Sequence, residues 1–145
     1  MAIVKVTADT VAVWAQFCHD LWPHNTAAAM RAEWEKGLLP HEYLYEENGD
    51  YIAFVSLALR HDYVEGKTDE NPVGYLEAIY VVPEHRRRGI ARALVGFAEA
   101  WSRAQGCTML ASDCELPNEQ SRAFHNRVGF AEESINVHFS MALGE

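Results

Sequence analysis

Nowhere does this chain of 145 residues run apolar for long enough to cross a membrane. Its start lacks the charged stretch followed by a long apolar core that marks a secretory signal. A cytoplasmic protein with no membrane partner is the expectation. Basic residues are scarce, 12 Lys and Arg against 21 Asp and Glu, for a formal net charge of -9. That balance argues against nucleic acid and anionic membrane as partners and favours cationic ligands. Cysteine is rarer still. Cys18, Cys107 and Cys114 form no Cys-x-x-Cys pair and no zinc-ligand spacing, so neither a disulfide framework nor a metal site is expected. Missing too are a glycine loop ending in Lys-Ser/Thr and a three-glycine dinucleotide fingerprint. Internal repeats and low-complexity tracts are absent, and 49% hydrophobic content over this length suits one packed domain spanning 1–145.

What is present is concentrated between Tyr75 and Leu94. Tyr75 to Val82 is an apolar run rich in β-branched and aromatic residues. Beyond it Ile90, Leu94, Phe97 and Trp101 recur at helical spacing. A strand, a basic turn and the start of a helix are predicted. In the turn, Arg86, Arg87 and Arg88 precede Gly89, Ile90 and Ala91, so small residues stand where a helix leaves its first amides unpaired. Such an end attracts anions, and planar guanidinium donors suit phosphate.

Around this centre the chain alternates strands and helices. Ile3–Val6 reads as a first strand, with Thr7 or Asp9 capping a helix through Val11, Trp14, Phe17, Cys18 and Leu21. A second helix is predicted from Thr26 to Lys36, stopped by Gly37. Tyr43–Glu46 and Tyr51–Leu59 flank the hairpin signal Asn48-Gly49-Asp50. The polar stretch from Arg60 to Pro72 carries four acidic residues and is the natural place for substrate contacts. Thr108–Ser112 reads as a strand ending at Asp113, Pro117-Asn118-Glu119 opens a helix, and Phe130 onwards reads as a terminal hairpin or strand pair. The order fits a mixed α/β sandwich.

Two carboxylates draw notice. Glu77 interrupts an apolar strand, where a charge is costly unless it has a partner or faces a cleft. Asp113 stands at the end of another strand, so the two could converge to hold an ammonium group. Trp22, with His24 two residues on, could offer a flat wall to an apolar ring face, or simply anchor the core.

Arg86, Gly89 and Ala91 match the Gln/Arg-x-x-Gly-x-Gly/Ala signature. With the preceding strand ending in Val-Pro, and with Asn118, Ala123-Phe124-His125 and Gly129-Phe130, the chain resembles the GCN5-related N-acetyltransferases (GNAT) over most of its length. The resemblance implies the GNAT fold, a mixed central sheet flanked by helices, and acetyl-CoA as co-substrate. Backbone from Ile79, Tyr80 and Val81, the turn Arg86 to Arg92 and Asn118 would hold it. Trp22-Pro23, Arg60-His61-Asp62-Tyr63-Val64-x-Gly66, Asn71-Pro72-Val73, Leu76-Glu77-x-Ile79-Tyr80-Val81 and Ala111-Ser112-Asp113 are similar to the aminoglycoside 6'-N-acetyltransferase branch. That likeness implies a cationic aminoglycoside substrate lined by Trp22, Tyr63, Glu77 and Asp113. It also implies an acidic contact just past Gly129-Phe130, where Ser134 stands with Glu132 and Glu133 beside it, and a homodimer. His125 stands where the superfamily often has a proton-donating Tyr, and its imidazole could serve or be structural. A GNAT enzyme acting on a polyamine or peptide, and a non-catalytic acetyl-CoA-binding module, are the other readings.

Overall fold

The computed structural model describes residues 1–145, which divide into two compact units, Met1–Asp113 and Cys114–Glu145. The first contains one five-stranded sheet in the order β1 (Ala2–Lys5), β2 (Glu42–Glu47), β3 (Asp50–Arg60), β4 (Val73–Val81), β5 (Leu110–Ser112). Neighbours are antiparallel except β4 and β5, which run parallel. Both faces are covered, which is why Ile52–Leu57 and Val73–Leu76 are buried without the alternation of a half-solvated strand. On one face α1 (Val11–Leu21) sets Trp14, Phe17 and Cys18 against Leu44, Phe54, Ala78 and Tyr80, with Met30 of α2 (Ala27–Glu35) in the same cluster. On the other lies α3 (Ile90–Ala104), whose Phe97 and Trp101 rings meet Tyr43 and His41.

The helix starts are set by local chemistry. The Thr26 hydroxyl accepts from the Ala29 amide and caps α2, so the helix itself begins one residue later than expected. At α1 the cap position is Thr10, not Thr7 or Asp9, because the Thr10 hydroxyl instead accepts from the Thr7 amide and closes the turn before the helix. Gly74 lets α3 approach β4 closely: a Cβ there would lie 2.0 Å from Ser102 Oγ.

In the second unit, α4 (Glu119–Val128) is capped by Asn118 Oδ1 accepting from the Ser121 amide at 3.0 Å, and stops at Gly129 with φ 111°. The expected terminal strands do not form. Ile135, Val137, Phe139, Met141 and Leu143 keep strand-like alternation yet are 65–91% exposed, and the segment takes no regular secondary structure. No helix is long and apolar enough to cross a membrane.

One buried group sets a pH dependence. The Glu42 carboxyl is 2% exposed, accepting from Trp14 Nε1 at 3.0 Å and Ser56 Oγ at 2.6 Å. Burial pushes its pKa up to about 8, against the pull of the Ser56 and Trp14 hydrogen bonds. A carboxyl whose folded pKa exceeds its unfolded value stabilises the fold at low pH, and that contribution is lost as pH rises from the ordinary carboxylate range through about 8. Glu42→Gln should therefore melt above the unmodified protein at pH 8, by at least about 1 kcal/mol in unfolding free energy, with the gap closing toward pH 5. Thermal unfolding across that range checks it; a gap independent of pH would show that Glu42 does not titrate on folding.

Candidate functional site

The site is built where β4 and β5 part. Their last paired residues are Leu76 and Ser112, locked by Ser112 Oγ donating to the Leu76 carbonyl at 3.1 Å. Beyond that pair β4 continues to Val81 with no strand on its β5 side, so the edge along Ile79, Tyr80 and Val81 is open. Glu77 is the next residue along β4, and Asp113 is the residue that follows β5. The β3–β4 register also shifts here: Ser56 pairs with Ala78 and Leu57 with Leu76, leaving Glu77 as the extra residue of a β-bulge. A bulge re-aims a side chain, and the Glu77 carboxylate emerges exposed from a strand otherwise mostly buried.

Two further residues join the carboxylates. Tyr75, on the same face two residues before Glu77, donates its hydroxyl to Asp113 Oδ2 at 2.5 Å. Arg60, at the end of β3, lays its guanidinium 3.6 Å from the Tyr75 ring centroid and pairs through Nη2 with Glu77 Oε1 at 3.1 Å. Burial raises the Tyr75 hydroxyl pKa, and the hydrogen bond to Asp113 and that carboxylate's charge raise it further. Burial works against the charge on Arg60, but the hydrogen bond and charge of Glu77, with Tyr75 and Asp113 behind them, outweigh it and leave the pKa raised. Both groups therefore sense both carboxylates. The sequence reading singled out Glu77 and Asp113 but not Tyr75 or Arg60 as site residues. Alternation along Val73, Tyr75 and Glu77 was the one available signal for Tyr75.

The stretch 61–72 is tied down at both ends. Val64 is buried against Val73 and Tyr75. Asp69 accepts from Thr108 Oγ1 at 2.5 Å and from the Asn71 amide at 2.9 Å, which hold its carboxyl below the usual range. Between these anchors Tyr63 stands 69% exposed, its hydroxyl 3.5 Å from Glu65. Trp22, the residue after α1, packs half-buried against the core, so the anchoring role is real; His24 is exposed.

At the far end of β4 the three arginines differ in their tasks. Arg86 Nε donates to the Val81 carbonyl at 2.8 Å and its guanidinium lies 5.6 Å from the Tyr80 ring, closing the strand end. Arg88 pairs with Glu47 at 2.7 Å and meets His85 Nδ1 at 2.6 Å; its hydrogen bond holds the Glu47 carboxyl below its ordinary range. Arg87 is exposed and in no ion pair, on a backbone with φ 64°. Gly89 follows with φ 83°, and a Cβ built on it meets nothing within 4 Å. Two left-handed residues, Arg87 and Gly89, with Arg88 between them, lead into the Ile90 and Ala91 amides and make a positively polarised turn exposed to solvent. These groups fit a phosphate.

In residues 114–145, the Asn118 side chain is used in capping α4. His125 Nδ1 lies 2.7 Å from the Ser121 carbonyl, and its ring packs on Phe124 and Phe130. A neutral His125 thus carries its proton on Nδ1 and its lone pair on Nε2. Glu132 is taken up by Arg122 at 2.8 Å and Asn126 at 3.2 Å, while Glu133 is exposed. No group of three or more His, Cys, Asp or Glu side chains is gathered to hold a metal ion. Cys18, although next to His19, is buried, and burial together with the Glu42 charge pushes its thiol far up, so it is no nucleophile.

Comparison with known proteins gives a consistent picture. The model of the family described as Acetyltransferase (GNAT) family matches residues 8–130. An aminoglycoside N(6')-acetyltransferase type 1 from Serratia marcescens is 36% identical over 146 residues, covering 98% of this chain and 99% of its own. The aminoglycoside N-acetyltransferase AAC(6')-Iy in complex with CoA superposes with a TM-score of 0.89 at 30% identity, covering 98% of this chain and 95% of the other. The same enzyme with a bisubstrate analogue joining CoA to acetylneamine superposes at 0.88, with 29% identity and 98% of each chain covered.

Proposed function

Because the chain belongs to the acetyltransferase (GNAT) family, we propose that it transfers the acetyl group of acetyl-CoA to the 6'-amino group of an aminoglycoside, and so confers resistance to it. The observation that carries this reading is the pair of carboxylates, Glu77 and Asp113, brought together where β4 and β5 part. Acetyl-CoA supplies an activated acyl thioester. The turn from Arg86 to Arg92, with Gly89 giving close approach and the Ile90 and Ala91 amides at the start of α3, suits its pyrophosphate, and the unpaired edge of Ile79, Tyr80 and Val81 suits an extended amide arm. An N–H on that edge would polarise the thioester carbonyl. Glu77 and Asp113 would hold the substrate ammonium and accept the proton it must lose before its nitrogen attacks the acyl carbon, with the thiolate leaving. Trp22, His24, Tyr63 and Glu133 are proposed as further sugar contacts. By resemblance, Asn118 is assigned to cofactor binding and His125, as imidazolium, to returning a proton to the thiolate.

The family match running from 8 to 130 supports treating 1–145 as one catalytic domain. The chain's net charge of -9 supports a cationic small molecule as the acceptor, and the proposal takes the enzyme as cytoplasmic and metal-independent. The exposed alternation from Ile135 to Leu143 supports a homodimer, because a second copy can supply the missing strand partner. Light scattering at micromolar concentration should give twice the chain mass; a monomer throughout would end the dimer proposal.

Release of free thiol from acetyl-CoA should be rapid with an aminoglycoside bearing a 6'-amine and absent with its 6'-hydroxyl counterpart. Equal turnover of both, or preference for a polyamine or peptide, would replace the substrate assigned here. Gly89→Val should fill the open turn and force a β-branched residue to positive φ, weakening acetyl-CoA binding by at least about tenfold. Calorimetry on the folded variant checks this, and unchanged affinity would move the cofactor elsewhere.

A further inference from the structure

The Arg60 guanidinium sits among the groups that a substrate ammonium would need. Its Nη2 is 3.1 Å from Glu77 Oε1, and its carbon is 3.6 Å from the centre of the Tyr75 ring, whose hydroxyl is bonded to Asp113. This ion pair takes up one of the two carboxylates, Glu77. The pair is also easily broken. The two side chains are 39% and 38% exposed, and ion pairs in such settings contribute little to stability because water and salt compete for both ends. The local arrangement is one cation between two anions, held in place by a contact that costs little to open.

We propose that Arg60 is a specificity-determining residue of the amine site: it occupies the ammonium position in the free enzyme, must be displaced by the substrate, and thereby selects for polycations. The proposal rests on the reading of Glu77 and Asp113 as that site. A ligand with one ammonium exchanges one cation for another and gains little. A ligand with several places a second ammonium at the carboxylate Arg60 never neutralised, so the exchange leaves both anions compensated. The Tyr75 ring gives the guanidinium a stacking surface, and the Tyr75 hydroxyl keeps Asp113 oriented whichever cation is present. Arg60 stands at the strand end that leads into the stretch 61–72, where a long side chain can swing away without disturbing a packed core.

The test uses Arg60→Met, which keeps an unbranched stem over Tyr75 but removes the charge, together with Arg60→Lys, which restores a charge. Methylguanidinium is the probe, as a competitive inhibitor against the aminoglycoside in the thiol-release assay. With Arg60→Met its inhibition constant should fall by about fivefold or more, and the aminoglycoside KM should fall with it; Arg60→Lys should restore both toward the values of the unmodified enzyme. An unchanged inhibition constant, or a KM that rises in Arg60→Met, would overturn the proposal and make Arg60 a residue that orients Glu77. Should Arg60→Met not fold, Arg60→Gln is read by the same criteria. If Asp113→Asn also leaves the aminoglycoside kcat/KM unchanged, the amine-site reading itself falls; if Asp113→Asn lowers kcat/KM while Arg60→Met changes nothing, only the role of Arg60 does.

Discussion

The molecule depends on a parting of two strands. β4 and β5 run side by side only from Gly74 to Leu76, opposite Leu110 to Ser112, and then separate. A parallel pair that stops leaves an unpaired row of amides and carbonyls, which elsewhere in a protein would be a liability. In the function proposed above, the same gap would give the extended arm of acetyl-CoA an edge to lie along, with Glu77 and Asp113 beside it. The bulge opposite Ser56 and Leu57 adds the residue that turns Glu77 outward. Without it, strict alternation would give β4 a different facing from Ala78 onward, and the apolar contact of Ala78 and Tyr80 with α1 would be lost.

Charge is divided as sharply as the strands are. The chain carries a net charge of -9, yet one end of β4 opens into three consecutive arginines. Two of these are bound up in the protein, Arg86 with the Val81 carbonyl and Arg88 with Glu47, so they shape the turn as much as they charge it. What faces an incoming phosphate is chiefly backbone, held by left-handed Arg87 and Gly89. In the proposed reading the other ligand would meet the opposite polarity: carboxylates, with Arg60 and Tyr75 among them. An anionic cofactor and a cationic acceptor are thus sorted by field before they are sorted by shape.

Much of this was legible in the sequence where two periodicities adjoin. The apolar run before Val82 and the helical spacing of Ile90, Leu94 and Phe97 located β4, the turn and α3, and Glu77 stood out as a lone carboxylate in that run. Cross-strand facts were not legible. Arg60 lies beside Tyr75 only because β3 pairs residue 60 with 73 and 58 with 75, and nothing local announces that register. Glu42 reads like the acidic Glu46 and Glu47 of its own strand, yet it is buried, since Trp14 arrives from α1 with an indole N–H to satisfy it. The final segment misled in the opposite way. Its alternation is that of a strand, but a strand is a property of two paired segments, and alternation alone does not supply the second.

The central claim is that Glu77 and Asp113 grip the reacting amine and leave the acetyl donor to the turn before α3. The direct measurement is the steady-state rate of the Asp113→Asn enzyme with a 6'-amino aminoglycoside, beside its acetyl-CoA affinity by calorimetry. A charge-assisted contact to an ammonium contributes about 1.5–3 kcal/mol, so kcat/KM should fall by roughly tenfold or more while acetyl-CoA affinity changes by less than about twofold. Full activity in the Asp113→Asn enzyme, or a loss of acetyl-CoA binding equal to the loss of rate, would contradict it.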